Sequence, residues 1–102
     1  MHLIEAIVKK DIKKVKELLA NGVNPNSSED STLFSPLHLA AGNNSLKIVE
    51  LLIAAGADIT AQTEDGITVL DMAQISRNPK ILIFLLGVYL GNGIIPIINT
   101  IH

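Results

Sequence analysis

Apolar residues recur along this chain at helical spacing, in short segments separated by loops rich in Gly, Asn and Asp. In the clearest segment, residues 46–54, the Leu, Ile and Val side chains form one stripe, while Lys47 and Glu50 fall on the opposite side. Ser45 precedes the segment as a candidate N-cap, and Gly56 follows it. The pattern predicts an amphipathic helix over Leu46–Ala54.

The same pattern predicts five more helices, which make three pairs with the first. Four of these helices are preceded by a Ser, Thr, Asp or Asn residue. Such residues are candidate N-caps, because their side-chain oxygen can accept a hydrogen bond from a free backbone amide in the first helical turn. Pro36 and Pro79 suit the first helical position, where the missing N–H has no partner. The predicted helices are Leu3–Val8, a second from after Asp11 to near Ala20, Pro36–Gly42, one that starts after Thr68, and one that starts after Asn78 and runs to about Leu90.

The segments repeat with a fixed period. The stretch Ser-Pro-Leu-His-Leu-Ala-Ala at residues 35–41 returns 33 residues later as Thr-Val-Leu-Asp-Met-Ala-Gln. A shift of 34 aligns the first part of the chain with the second copy, so that Leu3 falls on Leu37 and Gly22 on Gly56. A period of this size is typical of a stacked repeat array.

Residues 35–41 resemble the Thr-Pro-Leu-His-x-Ala motif of the ankyrin repeat family, and residues 56–58, Gly-Ala-Asp, match that family's exit from the second helix. The resemblance covers residues 3–86. It implies an all-α ankyrin-repeat solenoid, in which antiparallel helix pairs stack and hairpin-like loops join them. The whole chain, 1–102, is then a single domain with repeats at about 2–34, 35–67 and 68–90.

The third repeat departs from the family motif, since Val69 and Asp71 replace its proline and histidine. The resemblance implies that His38 braces neighbouring loops through hydrogen bonds. Asp71 holds the equivalent position, and we expect it to have a similar role.

Two loops connect the repeats. Residues 60–67 are predicted to form a hairpin that turns at Asp65-Gly66. The earlier loop, residues 23–34, is one residue longer and lacks such a glycine, so we expect an irregular tip. Phe34 allows two interpretations: it packs under the helices together with Leu33, or it is an exposed anchor for a partner.

The last residues, 91–102, are apolar and do not fit the repeat spacing. One interpretation is a degenerate capping unit that covers the third repeat. The other is an uncapped end that forms a homo-oligomer through Ile83, Tyr89, Leu90 and Ile97. A membrane span is not expected, because Gly and Pro residues break the uncharged run from 81 to 101.

Composition narrows the classes of function. The net charge is −2, so no overall field attracts nucleic acid. Lysines cluster at residues 9–16 without aromatic neighbours to stack on bases. We interpret them as a solvated outer face, with docking on an anionic surface as the alternative.

The chain has no cysteine, and Glu5 interrupts its first apolar run, so we expect a cytoplasmic protein.

The sequence shows no constellation typical of an enzyme. The three histidines are too scattered to suggest a metal cluster. The acidic pairs Glu29-Asp30 and Glu64-Asp65 lie in hydrophilic loops, where solvation explains them better than catalysis. We therefore expect a non-catalytic protein that needs no cofactor.

The resemblance implies that the partner is another protein, bound through the loop tips and the concave face formed by the first helices. Four acidic residues fall on the loop side, which suggests a basic partner there. The candidate partner-binding positions are Ser31, Leu33, Phe34, Gly42, Asn43, Glu64, Asp65, Ile67, Ile75 and Ser76.

Overall fold

The computed structural model describes residues 2–28 and 34–91. Within this part the chain forms six helices in three consecutive pairs, and their bounds agree with the predicted ones. They are α1 (Leu3–Val8), α2 (Ile12–Ala20), α3 (Pro36–Gly42), α4 (Leu46–Ala54), α5 (Val69–Ser76) and α6 (Pro79–Tyr89).

Four of the predicted N-caps are confirmed, since each side chain accepts a backbone amide from the first helical turn; they are Asp11, Ser35, Thr68 and Asn78. The prediction for Ser45 was wrong. Ser45 precedes α4, but its hydroxyl makes no capping bond and donates instead to the Asn43 carbonyl at 3.4 Å. The hydroxyl is therefore engaged by the turn between α3 and α4 and does not reach the free amides of α4.

The helices stack in two layers. The first helix of each pair forms one layer, with α3 between α1 and α5, and the second helices form the other, with α4 between α2 and α6. Ala6, Ala40 and Ala73 hold equivalent positions in the first layer, and none is more than 1% exposed. Their small side chains let the first helices approach closely, while Leu and Ile residues fill the space between the layers.

Side-chain hydrogen bonds also join successive repeats. The Asn43 amide donates to the carbonyl of Ile7 at 3.1 Å. Asn26, in the first loop, accepts from the backbone amide of Asp58 at 2.7 Å. Each bond satisfies a backbone group at a helix or loop end, and each fixes the position of one repeat against the next.

His38 is buried and bonds in two directions. Its Nδ1 accepts from the Ser35 amide at 3.2 Å, so this nitrogen carries no proton and the other one donates. Nε2–H donates to the carbonyl of Ile67, in the next loop, at 2.8 Å. The predicted bracing role of His38 is confirmed. Asp71 differs, because its carboxylate accepts from the amide of Thr68 at its own helix start.

The loop between α4 and α5 contains the predicted hairpin. Gly66 has a φ of +82°, a value that favours glycine, and its amide donates to the Thr63 carbonyl at 2.9 Å. One antiparallel bridge pairs Gln62 with Thr68. The turn at Asp65-Gly66 therefore projects as a tight tip between two repeats.

Helix α6 and its C-cap expose apolar side chains. Ile83, Tyr89 and Leu90 are exposed, and Leu90 is the C-cap of α6, in agreement with the predicted helix end. The predicted capping unit and Ile97 lie outside the described residues. In the described part of the chain, none of the helices has both the length and the apolar character needed to cross a membrane.

Candidate partner-binding surface

The last turns of the first helices present one row of equivalent positions, Val8, Gly42 and Ile75. Val8 is 61% exposed and Ile75 is 66% exposed. Gly42 between them has no side chain. The row therefore consists of one apolar side chain on each side of a gap.

The gap opens into a cleft of about 250 Å³, which we call the Gly42 cleft. Met72 lies close to it: a Cβ on residue 42 would stand 2.6 Å from the Met72 terminal methyl. Because methionine is flexible and unbranched, this part of the cleft can change its shape. The cleft is lined by Ile7, Val8, Leu39, Gly42, Asn43 and Met72.

The structure brings together two of the predicted site residues at this cleft, Gly42 and Asn43, and places Ile75 on the same row. Asn43 is engaged there, since its amide donates to the Ile7 carbonyl. Ser76 is half-buried, and its hydroxyl donates to the Ala73 carbonyl at 2.7 Å. Ser76 therefore supports the end of α5 in this structure.

The predicted hairpin residues lie at the other end of the first helices. Glu64 and Asp65 are exposed at the tip, and neither forms an ion pair with any described residue. Ile67 is half-buried, and its carbonyl accepts from His38. Thr68 and Ile75 are seven helical steps apart, so about 10 Å of helix separates the start of α5 from the apolar row, and the acidic tip lies beyond that start.

Phe34 is half-buried, and its ring meets the edge of the His38 ring at a centroid distance of 5.7 Å. Phe34 is therefore neither a fully packed core residue nor a fully exposed anchor, because one side of its ring packs on a buried residue and part of the ring stays accessible. Ser31 and Leu33 lie outside the described residues.

Four residues of the cleft were missed by sequence reasoning: Ile7, Val8, Leu39 and Met72. The repeat period contained the signal for Val8, since shifts of 34 and 33 residues align it with Gly42 and Ile75. Leu39 and Met72 look like ordinary core positions in the sequence. Both are in fact half-buried, and they supply apolar walls to the cleft.

Hydrogen bonds lower the pKa of two carboxyl groups on the loop side. The side chain of Asp58 accepts from the hydroxyl and the backbone amide of Thr60, which lowers its pKa. The backbone amide of Thr68, followed by its hydroxyl, lowers the pKa of Asp71. Both groups stabilise loop ends.

Among residues 2–28 and 34–91, no three acidic or histidine side chains are grouped closely enough to hold a metal ion.

Comparisons with known proteins agree with this architecture. The chain is 35% identical over 80 residues to the potassium channel GORK of Arabidopsis thaliana, and 36% identical over 79 residues to the human 2-5A-dependent ribonuclease; each alignment covers 78% of this chain. It is 39% identical over 70 residues, 69% of the chain, to the mouse ankyrin repeat and SOCS box protein 9.

These relatives are much longer proteins. The alignments span 10% of the potassium channel, 11% of the ribonuclease and 23% of the SOCS box protein. A family model described as ankyrin repeats, in three copies, matches residues 3–94, which include all six helices. The chain therefore belongs to the ankyrin repeat family.

Proposed function

We propose that this chain binds another protein, without catalysis, through the Val8–Gly42–Ile75 row and the acidic hairpin tip. Ankyrin repeats generally mediate protein–protein interaction. The observation that carries the proposal is the exposure of Val8 and Ile75 beside an apolar cleft. Complete burial of a side chain of this size contributes about 1.5–3 kcal/mol, so a partner that covers both residues gains substantial affinity.

The surface supports a partner of a particular chemistry. An aliphatic or aromatic side chain of the partner enters the Gly42 cleft, where Met72 adjusts to its shape. A Lys or Arg more than about 10 Å away, beyond the start of α5, then faces Glu64 and Asp65. The partner segment is therefore apolar at one end and basic at the other.

We do not propose for this chain any catalytic activity of its relatives. The ankyrin repeat family is typically non-catalytic, and the alignment with the ribonuclease covers a small part of that protein. The activities of the long relatives belong to those proteins, and what this chain shares with them is the repeat surface.

Selection from a displayed random-peptide library tests the proposal. Peptides that bind the wild-type chain are remeasured against a Val8→Asp/Ile75→Asp variant. We expect at least about tenfold weaker binding, because the variant places carboxylates where apolar side chains must be buried.

Ile83→Asp is the matched control, because Ile83 is equally apolar and 62% exposed but lies on α6, in the other layer. It should leave the affinity of these peptides within about threefold of wild type. Equal loss in both variants, or no loss in either, contradicts the assignment of the binding surface to the first helices.

A second candidate function is self-assembly through the apolar end, favoured by the exposure of Ile83, Tyr89 and Leu90 on α6. Light scattering over a wide concentration range tests it. Self-assembly predicts a mass that rises with concentration and returns to that of a monomer in Ile83→Asp. A monomer at all concentrations excludes this function.

A further inference from the structure

The positive charges of this chain occupy one edge of the repeat stack. All eight Lys and Arg residues lie between the end of a first helix and the middle of the second helix that follows. The acidic hairpin tip lies at the opposite ends of the first helices. The molecule is therefore polarised, although its net charge is only −2.

The charges on this edge repeat with the fold. Lys13, Lys47 and Lys80 are each the second residue of a second helix, so α2, α4 and α6 present one lysine apiece at the same register. All three are exposed, and none forms an ion pair with any residue in the described part of the chain. We call these three residues the lysine ladder.

The turns that carry the ladder have the same shape in each repeat. Lys10, Asn44 and Arg77 precede the second helices with φ values of +56°, +59° and +58°. The side chain of Asn78 donates to that of Asn44 at 2.6 Å, which ties the second turn to the third. The three lysines therefore follow turns of the same shape, of which the second and third are hydrogen-bonded to each other, and the first and third turns each add a further cation.

A cleft of about 250 Å³ lies between the turn that precedes α2 and the turn that precedes α4. Lys10 and Lys47 are at its rim, and Ile12, which is 41% exposed, contributes apolar surface. Its remaining lining comes from the second turn and the start of α4: Asn44, Ser45, Leu46 and Ile48. The edge thus combines spaced cations with one recess that suits an apolar side chain.

We propose that this edge is a second interaction surface, which binds an acidic segment of a partner protein. The carboxylates of the segment face the lysine ladder, and one aliphatic side chain enters the cleft between Lys10 and Lys47. A flat lipid surface cannot fill a recess of this kind, whereas a peptide side chain can. Nucleic acid is disfavoured, because the ladder and its cleft contain no aromatic side chain on which a base could stack.

The probe is a labelled glutamate-rich peptide with one central leucine, titrated with the full chain. We expect binding that weakens as salt rises from about 50 mM to about 200 mM, since exposed charges are screened. The variant Lys13→Gln/Lys47→Gln/Lys80→Gln should bind about tenfold more weakly. Replacing the central leucine of the peptide by serine should weaken binding about threefold or more.

The chain offers a charge-matched control. Lys9→Gln/Lys14→Gln/Lys16→Gln removes the same number of positive charges, but Lys9 and Lys14 already pair with Glu5 and Glu17. This variant should stay within about threefold of wild type, and circular dichroism verifies that both variants are folded. Equal weakening in both variants overturns the proposal, because it shows a response to net charge alone.

Three other results also overturn the proposal. One is the absence of measurable binding to the peptide. Another is tighter binding to an oligouridylate or to phosphatidylserine vesicles than to the peptide at the same salt. The last is self-association without peptide that the ladder variant abolishes, which identifies the acidic loops of a second copy as the occupant.

Discussion

The His38 imidazole donates from Nε2 to the carbonyl oxygen of Ile67 at 2.8 Å, and so joins α3 to the loop that leads into the next repeat. Because its Nδ1 accepts from the Ser35 amide, one buried ring satisfies a backbone group at the start of α3 and another in that loop. The bond places the hairpin and its acidic tip relative to the first helices. Stability and surface geometry therefore depend on the same residue.

His38→Ala should destabilise the protein by about 2–4 kcal/mol, because it leaves a buried amide and a carbonyl without partners and creates a cavity. Urea unfolding followed by circular dichroism measures the change. Asp71→Ala is the comparison, since Asp71 holds the equivalent position but is exposed and bonds within its own helix start. If Asp71→Ala costs as much as His38→Ala, the bond from His38 to Ile67 does not explain the effect.

Gly42→Ala should reduce the Gly42 cleft with little effect on stability. The new methyl group meets the terminal methyl of Met72, the mobile end of a flexible side chain, which can move aside. Alanine also favours the helix over glycine, so the free energy of unfolding should change by less than about 1 kcal/mol. Peptides selected on the wild-type cleft should nevertheless bind more weakly. A large loss of stability would mean that Met72 is fixed in place.

Leu85→Ala and Ile83→Ala test the orientation of α6. Leu85 is fully buried, and its truncation should cost about 2–5 kcal/mol through lost burial and a residual cavity. Ile83, two residues away, is 62% exposed, and its truncation should change stability by no more than about 0.5 kcal/mol. Urea midpoints of the two variants give the comparison. Comparable losses would show that the exposed side of α6 is covered in solution.

Stability should fall in acid partly through Asp71. Hydrogen bonds lower the pKa of Asp71 from 3.8 in the folded protein. The ionised carboxylate therefore stabilises the fold at any pH above the pKa of the unfolded state, and this stabilisation is lost as the pH falls through the pKa of the folded state. Asp71→Asn keeps an oxygen that can accept from Thr68 but does not titrate. Urea midpoints between about pH 5 and about pH 2 should therefore fall more in wild type than in Asp71→Asn. Parallel curves would rule out this contribution.

Much of the fold could be predicted because helix ends are decided locally. A capping oxygen and a proline at the first position mark where a helix begins, as at Ser35-Pro36 and Asn78-Pro79. The repeat period then pairs the helices. Ser45 shows the limit of this reasoning, since its hydroxyl had two acceptable partners and the turn geometry selected the Asn43 carbonyl.

The candidate surface was predicted less completely. The resemblance indicated Gly42 and Ile75, and the hairpin tip followed from Asp65-Gly66. The resemblance implied similar roles for His38 and Asp71, whereas in the described residues His38 bonds to Ile67 in the following loop and Asp71 bonds to Thr68 at its own helix start. It also did not reveal that Met72 lies against Gly42, because contact between two helices depends on their separation and on side-chain rotamers.

The sequence by itself determined the helices, their order and the positions that face one another from repeat to repeat, since capping and periodicity act over a few residues or a fixed spacing. Only the tertiary structure decided which equivalent positions form a cleft, which lysines remain unpaired and which side chains bond across repeats. Those properties depend on distances between groups about 33 residues apart in sequence, and stacking of the helices sets these distances.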